Sequence, residues 1–181
     1  VICRRSQLMK RVSGRGAMAV TELSLEEAQV VLQGYEDRLS IAVSNGPRST
    51  VLSGDPAALQ TVMETLTEQG VFCRLVKVDV AAHSPHMEAL RPELVRDLAG
   101  IRPQAAAVSV VSTVTGAGQD GAAFDAAYWG RNLRQPVLFA TAAQKLMDDG
   151  YNVFIEIGPH PVLLQAMGSG WPERDLTLLP S

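Results

Sequence analysis

The histidine within Asp79-Val80-Ala81-Ala82-His83-Ser84-Pro85-His86-Met87 is the side chain best placed in this sequence to do chemistry. It falls where a run rich in β-branched residues over 71–80 gives way to an amphipathic pattern over 85–98. A strand-to-helix junction lets a side chain leave the packed interior and reach a cleft, and Ala81 and Ala82 leave space beside the ring. An imidazole there can serve as a general base, a role that needs a nucleophile and a group to orient the ring. No Gly-x-Ser-x-Gly elbow occurs in the sequence. Ser84 adjoins His83, an arrangement that usually points the two side chains apart. Two plainer readings therefore stay open. One is a histidine hydrogen-bonded within a turn. The other is a metal site of Asp79, His83 and His86, because His-x-x-His puts two imidazoles on one side of a helical turn. Pro85 lies between them and neither a cysteine nor a third histidine is near, so no metal is expected.

Other polar candidates are weaker when read alone. Arg5 reads as a solvated arginine, and Asn45, before Gly46-Pro47, as a turn residue. Gly116-x-Gly118-x-x-Gly121 follows an extended run and precedes a helical one, as a dinucleotide-binding turn would. Asp120 inside it would repel a pyrophosphate, and no acidic residue ends a following strand, so a plain glycine turn is expected.

The bulk properties limit the setting. The chain has 181 residues, 46% hydrophobic and 19% charged, as in a soluble globular protein with room for one core and a smaller lobe. A net charge of −3 with scattered basic residues argues against a nucleic-acid partner. Cys3 and Cys73 fit reduced thiols in a cytoplasmic protein better than a disulfide framework. No apolar run approaches the ~20 residues that span a bilayer, so no membrane span is expected. The opening Val1-Ile2-Cys3-Arg4-Arg5 has no N-cap or initiator methionine before it and reads as the middle of a helix. The chain is therefore expected to be a piece of a longer polypeptide, without a signal peptide.

The elements that must position these residues follow a regular order. A helix over 1–12 ends at Ser13-Gly14-Arg15-Gly16. A strand over 17–21, a helix opened by Ser24 with Glu26 and Glu27, a hairpin over 39–53, a helix from Asp55-Pro56 to about 69, and a strand over 71–80 come next. That is the ferredoxin-like βαββαβ order. Beyond it lie a helix over 85–98, an extended run over 107–114, helices over 124–133 and 137–149, a buried strand over 152–157, a helix over 160–167 and a last strand over 176–179. Strands alternating with helices mark an α/β body, to which the first helix would also belong.

Taken together, Ile2-Cys3-Arg4-Arg5-Ser6, Ala42-Val43-Ser44-Asn45-Gly46-Pro47, Ala82-His83-Ser84-Pro85-His86-Met87, Arg131-Asn132-Leu133-Arg134-Gln135-Pro136-Val137 and Glu156-Ile157-Gly158-Pro159-His160-Pro161 appear in an order that resembles the acyltransferase domain of modular type I polyketide synthases. The resemblance implies an α/β-hydrolase-like body, incomplete at its N-terminus, with an inserted ferredoxin-like α+β subdomain. Residues 1–15 and 81–168 would form the body, 16–80 the subdomain, and 169–181 the start of a post-acyltransferase linker. It also implies a ping-pong Ser–His transfer. A serine takes a malonyl-type group from coenzyme A and passes it to the phosphopantetheine of an acyl carrier protein, with no permanently bound cofactor. His83 would be the base, Asn132 would help orient it, Arg5 would bind the extender's free carboxylate, and Asn45 would face the cleft. His160 would be a structural turn residue.

Val80-Ala81-Ala82 stand where the resemblance places the selectivity-determining residues. With Ala82 leaving open the space that a phenylalanine would fill, methylmalonyl is favoured and malonyl is close behind. The serine elbow and oxyanion glutamine of the family are expected before Val1, so the chain alone is expected to be inactive. The implied partners are acyl-CoA, the carrier protein, the missing N-terminal part of the domain, and neighbouring ketosynthase and linker domains. Two rival classes are a non-catalytic binding or docking module built on the lobe, and a hydrolase or editing enzyme on the same scaffold.

Overall fold

The computed structural model describes residues 1–181. Its largest sheet has five strands in the order β4-β1-β3-β2-β7. These are β1 (Ala17–Thr21), β2 (Leu39–Gly46), β3 (Ser49–Gly54), β4 (Cys73–Leu75) and β7 (Val137–Leu138). The first four pair antiparallel, and β7 joins β2 in parallel through Val43–Val137 and Ser44–Leu138. The two-residue period of a strand sends Ala19, Leu39, Ile41 and Leu52 to one face. There they meet Ala28 and Leu32 around α2 (Leu25–Val31), and Ala58, Leu59, Val62 and Leu66 of α3 (Pro56–Glu68). Capping fixes where both helices begin. Ser24 and Glu27 form a reciprocal capping box, and the Asp55 carboxylate accepts from the Ala58 N–H.

A second core joins the chain before this unit to the chain after it. Leu8 of α1 (Ile2–Met9) packs with Met87, Leu90, Leu94 of α4 (Arg91–Asp97), Leu98, and Leu133 of α5 (Ala126–Arg134). A third core sits between α6 (Phe139–Asp148) and α7 (Leu164–Gly170), around Met147, Met167 and Trp171. The remaining strands form two separate pairs. β5 (Val110–Ser112) runs antiparallel to β6 (Ala117–Gln119), and β8 (Val153–Glu156) parallel to β9 (Thr177–Pro180). No helix of the chain is long and apolar enough to cross a membrane.

Several elements differ from the sequence pattern, each for an identifiable reason. The strand expected over 71–80 is only Cys73–Leu75, with one further bond from Val76 N–H to the Met18 carbonyl. Past Leu75, which pairs with Ala19, the chain turns, with Val78 N–H donating to the Val76 carbonyl at 2.8 Å, and so leaves the edge before reaching Ala17 of β1. The helix expected over 85–98 is a 3₁₀ turn, Pro85–Met87, followed by α4. Pro92 cannot donate to Glu88 and is tolerated only in a new first turn. Val137-Leu138, expected to be helical after Pro136, instead extends the large sheet. The extended run expected over 107–114 pairs only at Val110–Ser112, and the helix expected over 160–167 begins at Leu164. β8 is not buried: Val153, Ile155 and the following Ile157 are 54%, 61% and 88% exposed.

The chain enters the βαββαβ unit at residues 13–16 and leaves it at 79–82, and these two crossings touch. Gly14 N–H donates to the Asp79 carbonyl at 2.7 Å, and the Ser13 hydroxyl donates to the Asp79 carboxylate. A methyl on Gly16 would lie 2.3 Å from Ala81 Cβ and 2.7 Å from Ala81 N, too close for backbone to yield cheaply. Gly16→Ala is therefore expected to cost about 1–3 kcal/mol by overpacking. Urea denaturation checks this, and an unchanged midpoint would mean that the crossings do not meet this closely.

Candidate functional site

His83 sits at the end of the second crossing, held between α1 and the C-terminal end of α5. It is 7% exposed and is the one non-glycine residue with positive φ, at 60°. A left-handed backbone costs a residue of this kind about 1–3 kcal/mol and persists only where its surroundings fix it. The ring's Nδ1 lies 2.7 Å from the Gln135 carbonyl oxygen, just past the last turn of α5. A carbonyl can only accept, so Nδ1 carries the hydrogen and Nε2 of the neutral ring presents its lone pair. Burial pushes the imidazole down to about 4, with the positive charges of Arg5 and Arg134 adding to the fall and the Gln135 bond opposing it. At neutral pH the ring is an uncharged proton acceptor.

Arg5 reaches the site from α1. It lies three residues before the buried Leu8, so helical spacing puts both on the side that packs against α4 and α5. Burial lowers its pKa, no carboxylate pairs with it, and its Nε is buried without a hydrogen-bond partner. An unpaired, partly buried guanidinium is a costly arrangement unless something anionic completes it. Such a fork can donate two parallel hydrogen bonds to a carboxylate.

The remaining expected site residues separate into those near His83 and those with other duties. Ser84 is fully buried; its hydroxyl donates to the Ala81 carbonyl and accepts from the His86 N–H, so it caps the 3₁₀ turn. Val80 packs on the core around Leu8, and Ala81 is buried against Gly16. Of the three residues before the histidine, only Ala82 has neither duty. Asn132 is half-buried on α5, but no hydrogen bond joins its side chain to the ring; the Gln135 carbonyl holds that position. Asn45 is not a turn residue. The β2–β3 register passes from Ser44–Thr50 to Gly46–Ser49, leaving Asn45 as the extra residue of a bulge, a device that re-aims a side chain.

Two motifs resolve into structure. Gly116 turns the β5–β6 hairpin at φ 70°, and a methyl there would meet Thr141 Cγ2 at 2.7 Å. In Glu156-Ile157-Gly158-Pro159-His160, the Glu156 carboxylate accepts from the N–H groups of Val162, Leu163 and Leu164 at 2.8, 2.9 and 3.1 Å. Burial pushes that carboxyl up, and the three bonds together outweigh it, so its pKa lies below the ordinary value. His160 is exposed rather than packed. Sequence reasoning missed Gln135, because its contribution is a backbone oxygen with no side-chain signature, and Arg134, which donates to the His83 carbonyl at 3.3 Å.

The acyl transferase domain family matches residues 1–180. Erythronolide synthase EryA2 of Saccharopolyspora erythraea is 44% identical over 171 residues, which are 94% of this chain and 5% of that protein. The acyltransferase domain from module 8 of the salinomycin polyketide synthase superposes with a TM-score of 0.94 at 35% identity, over 98% of this chain and 42% of that one. The malonyl CoA-acyl carrier protein transacylase of Clostridium perfringens has a TM-score of 0.88 at 23% identity, over 98% and 57% of the two chains, a likeness of fold alone. The chain thus spans a small part of that synthase and about half the length of the two solved chains.

The depressed His83 has a consequence for stability. Unfolded, the ring takes a proton near 6.5; folded, only near 4. Between those values the unfolded state binds more protons, so stability present above pH 6.5 falls by roughly 3 kcal/mol as pH drops through the window to 4. His83→Gln is expected to flatten that slope. Chemical denaturation across the window checks it, and identical slopes in both proteins would contradict the burial of a neutral ring.

Proposed function

The chain belongs to the acyl transferase domain family, among the acyltransferase domains of modular polyketide synthases, and on that premise we propose that it carries the base and the carboxylate clamp of an enzyme that loads a malonyl-type extender onto an acyl carrier protein. The observation that carries this reading is the partly buried, unpaired Arg5 guanidinium, close enough to His83 for its charge to be felt there. A hydrolase of neutral esters has no use for such a cation. A transferase of diacid thioesters does, because the free carboxylate completes it.

In the proposed reaction a serine hydroxyl attacks the thioester carbonyl of the acyl-CoA. His83 Nε2 takes the hydroxyl proton, and the tetrahedral intermediate collapses to an acyl-serine as His83 returns the proton to the departing coenzyme A thiolate. The phosphopantetheine thiol of the carrier protein then repeats the sequence in reverse. Ser84, buried with its hydroxyl on the Ala81 carbonyl, caps a turn and is not the nucleophile in this reading, which takes that serine from outside residues 1–181. In this reading residues 16–80 are a ferredoxin-like subdomain inserted in a hydrolase-like body formed by 1–15 and 81–168, with 169–181 opening a linker. Carrier protein, ketosynthase and linker domains are its partners within the synthase. Asn45, at its bulge, faces the cleft from the subdomain.

Ala82 would meet the α-substituent of the acyl group, and its small side chain favours methylmalonyl over malonyl. Two outcomes test these roles in the complete domain. Arg5→Ala should lower kcat/KM for both diacid esters by about 10- to 100-fold, the worth of ~1.5–3 kcal/mol of charged hydrogen bonds, and spare acetyl-CoA; equal loss on acetyl argues against the clamp. In direct competition methylmalonyl-CoA should win, and Ala82→Phe should move the ratio toward malonyl by the ~1–3 kcal/mol that a methyl-sized space is worth. A clear malonyl preference in the unmodified domain would refute the assignment of Ala82.

A further inference from the structure

We propose that Arg134 is a positioning residue for the His83 base, its guanidinium holding the backbone carbonyl of His83 while Glu88 holds the guanidinium. The inference rests on the acyl-transfer reading above and adds to it a residue that acts on the base through its main chain. His83 is gripped at two points by consecutive residues at the end of α5. Gln135 takes the ring through its carbonyl at 2.7 Å, and Arg134 Nη1 donates to the His83 carbonyl at 3.3 Å. One hydrogen bond to the ring fixes its tautomer but leaves it free to pivot about that bond. A second bond, to the peptide beyond the same Cα, removes the pivot and keeps the left-handed backbone in place.

The geometry suits an arginine. Its Nε faces Glu88 Oε2 at 3.7 Å while Nη1 points to the carbonyl, so one planar fork spans both partners. Glu88 is itself steadied by Arg91 at 2.8 Å, and it follows the 3₁₀ turn that begins two residues after His83. The guanidinium therefore ties the segment carrying the base to the helix that orients its ring. α5 is a firm anchor: Leu133, beside Arg134, is fully buried, and Gln135 N–H closes the helix on the Arg131 carbonyl at 2.7 Å.

The test uses the complete acyltransferase domain, with extender-CoA and its carrier protein. Arg134→Gln should lower kcat by about 10- to 100-fold, the scale of loss when a reacting group is displaced by a fraction of an ångström to one ångström. KM for the acyl-CoA should hold, because Arg5 still binds the carboxylate. Arg134→Lys should lose less, since an ammonium reaches one partner without bridging both. A wild-type kcat in Arg134→Gln, or a loss confined to KM, overturns the proposal. If Arg134→Gln does not fold, Arg134→Lys decides: reduced kcat at constant KM supports the role, and wild-type kcat overturns it. An unmodified domain that transfers no acyl group would instead defeat the acyl-transfer reading itself, and this role with it.

Discussion

The hydrogen bond from His83 to the Gln135 carbonyl is the constraint on which the arrangement around it depends. It puts the hydrogen on Nδ1 and leaves Nε2 as the acceptor, but only if the end of α5 sits in one place. That place is set from several directions. Asp125 caps the start of the helix, Tyr128 bonds the Ser112 hydroxyl at 2.8 Å, and Leu133 is buried in the second core. Two residues beyond Gln135 the chain enters β7, whose parallel pairing with β2 fastens the end of the helix to the large sheet. The His83 ring is thus oriented by the same sheet that carries Asn45 on its bulge.

The choice of a carbonyl instead of a carboxylate as the orienting group matters electrostatically. A carboxylate would hold the ring by charge and favour its protonated form. The Gln135 oxygen brings no net charge, while Arg5 and Arg134 both oppose protonation. The surroundings of the ring are therefore cationic, with an uncharged imidazole and no carboxylate paired with Arg5. A cation left without a partner in this way carries a desolvation penalty that only a neighbouring anion would offset.

Much of this was legible in the sequence where local rules decide it. Ser24 and Asp55 announced the helix starts, the hairpin over 39–53 was expected although its turn falls one step beyond the Asn45-Gly46-Pro47 read for it, and β1 appeared at its expected residues. His83 stood out by its place at a junction, whereas Arg5 and Ala82 drew notice only through the family resemblance. What could not be read was set by tertiary partners. The edge strand stops where the chain turns at Val76–Val78, Val137-Leu138 turns to strand because β2 has an open side, and Val153 and Ile155 are apolar yet exposed. The group that orients the His83 ring is a main-chain atom, invisible to any reading of side chains, and a positive φ at a histidine has no sequence signature.

The contact between the two crossings bears on how the chain folds. Arg5 and His83 are far apart in sequence, and uniting them from an open chain would carry the loop-closure entropy of the whole intervening segment. The βαββαβ unit is contiguous and stabilised by its own core, so it can form from largely local pairings. Once formed, it brings Gly14 beside Asp79 at 2.7 Å and reduces that long loop to a short one. The unit then acts as a folding template: its assembly brings the segments that carry Arg5 and His83 toward one place.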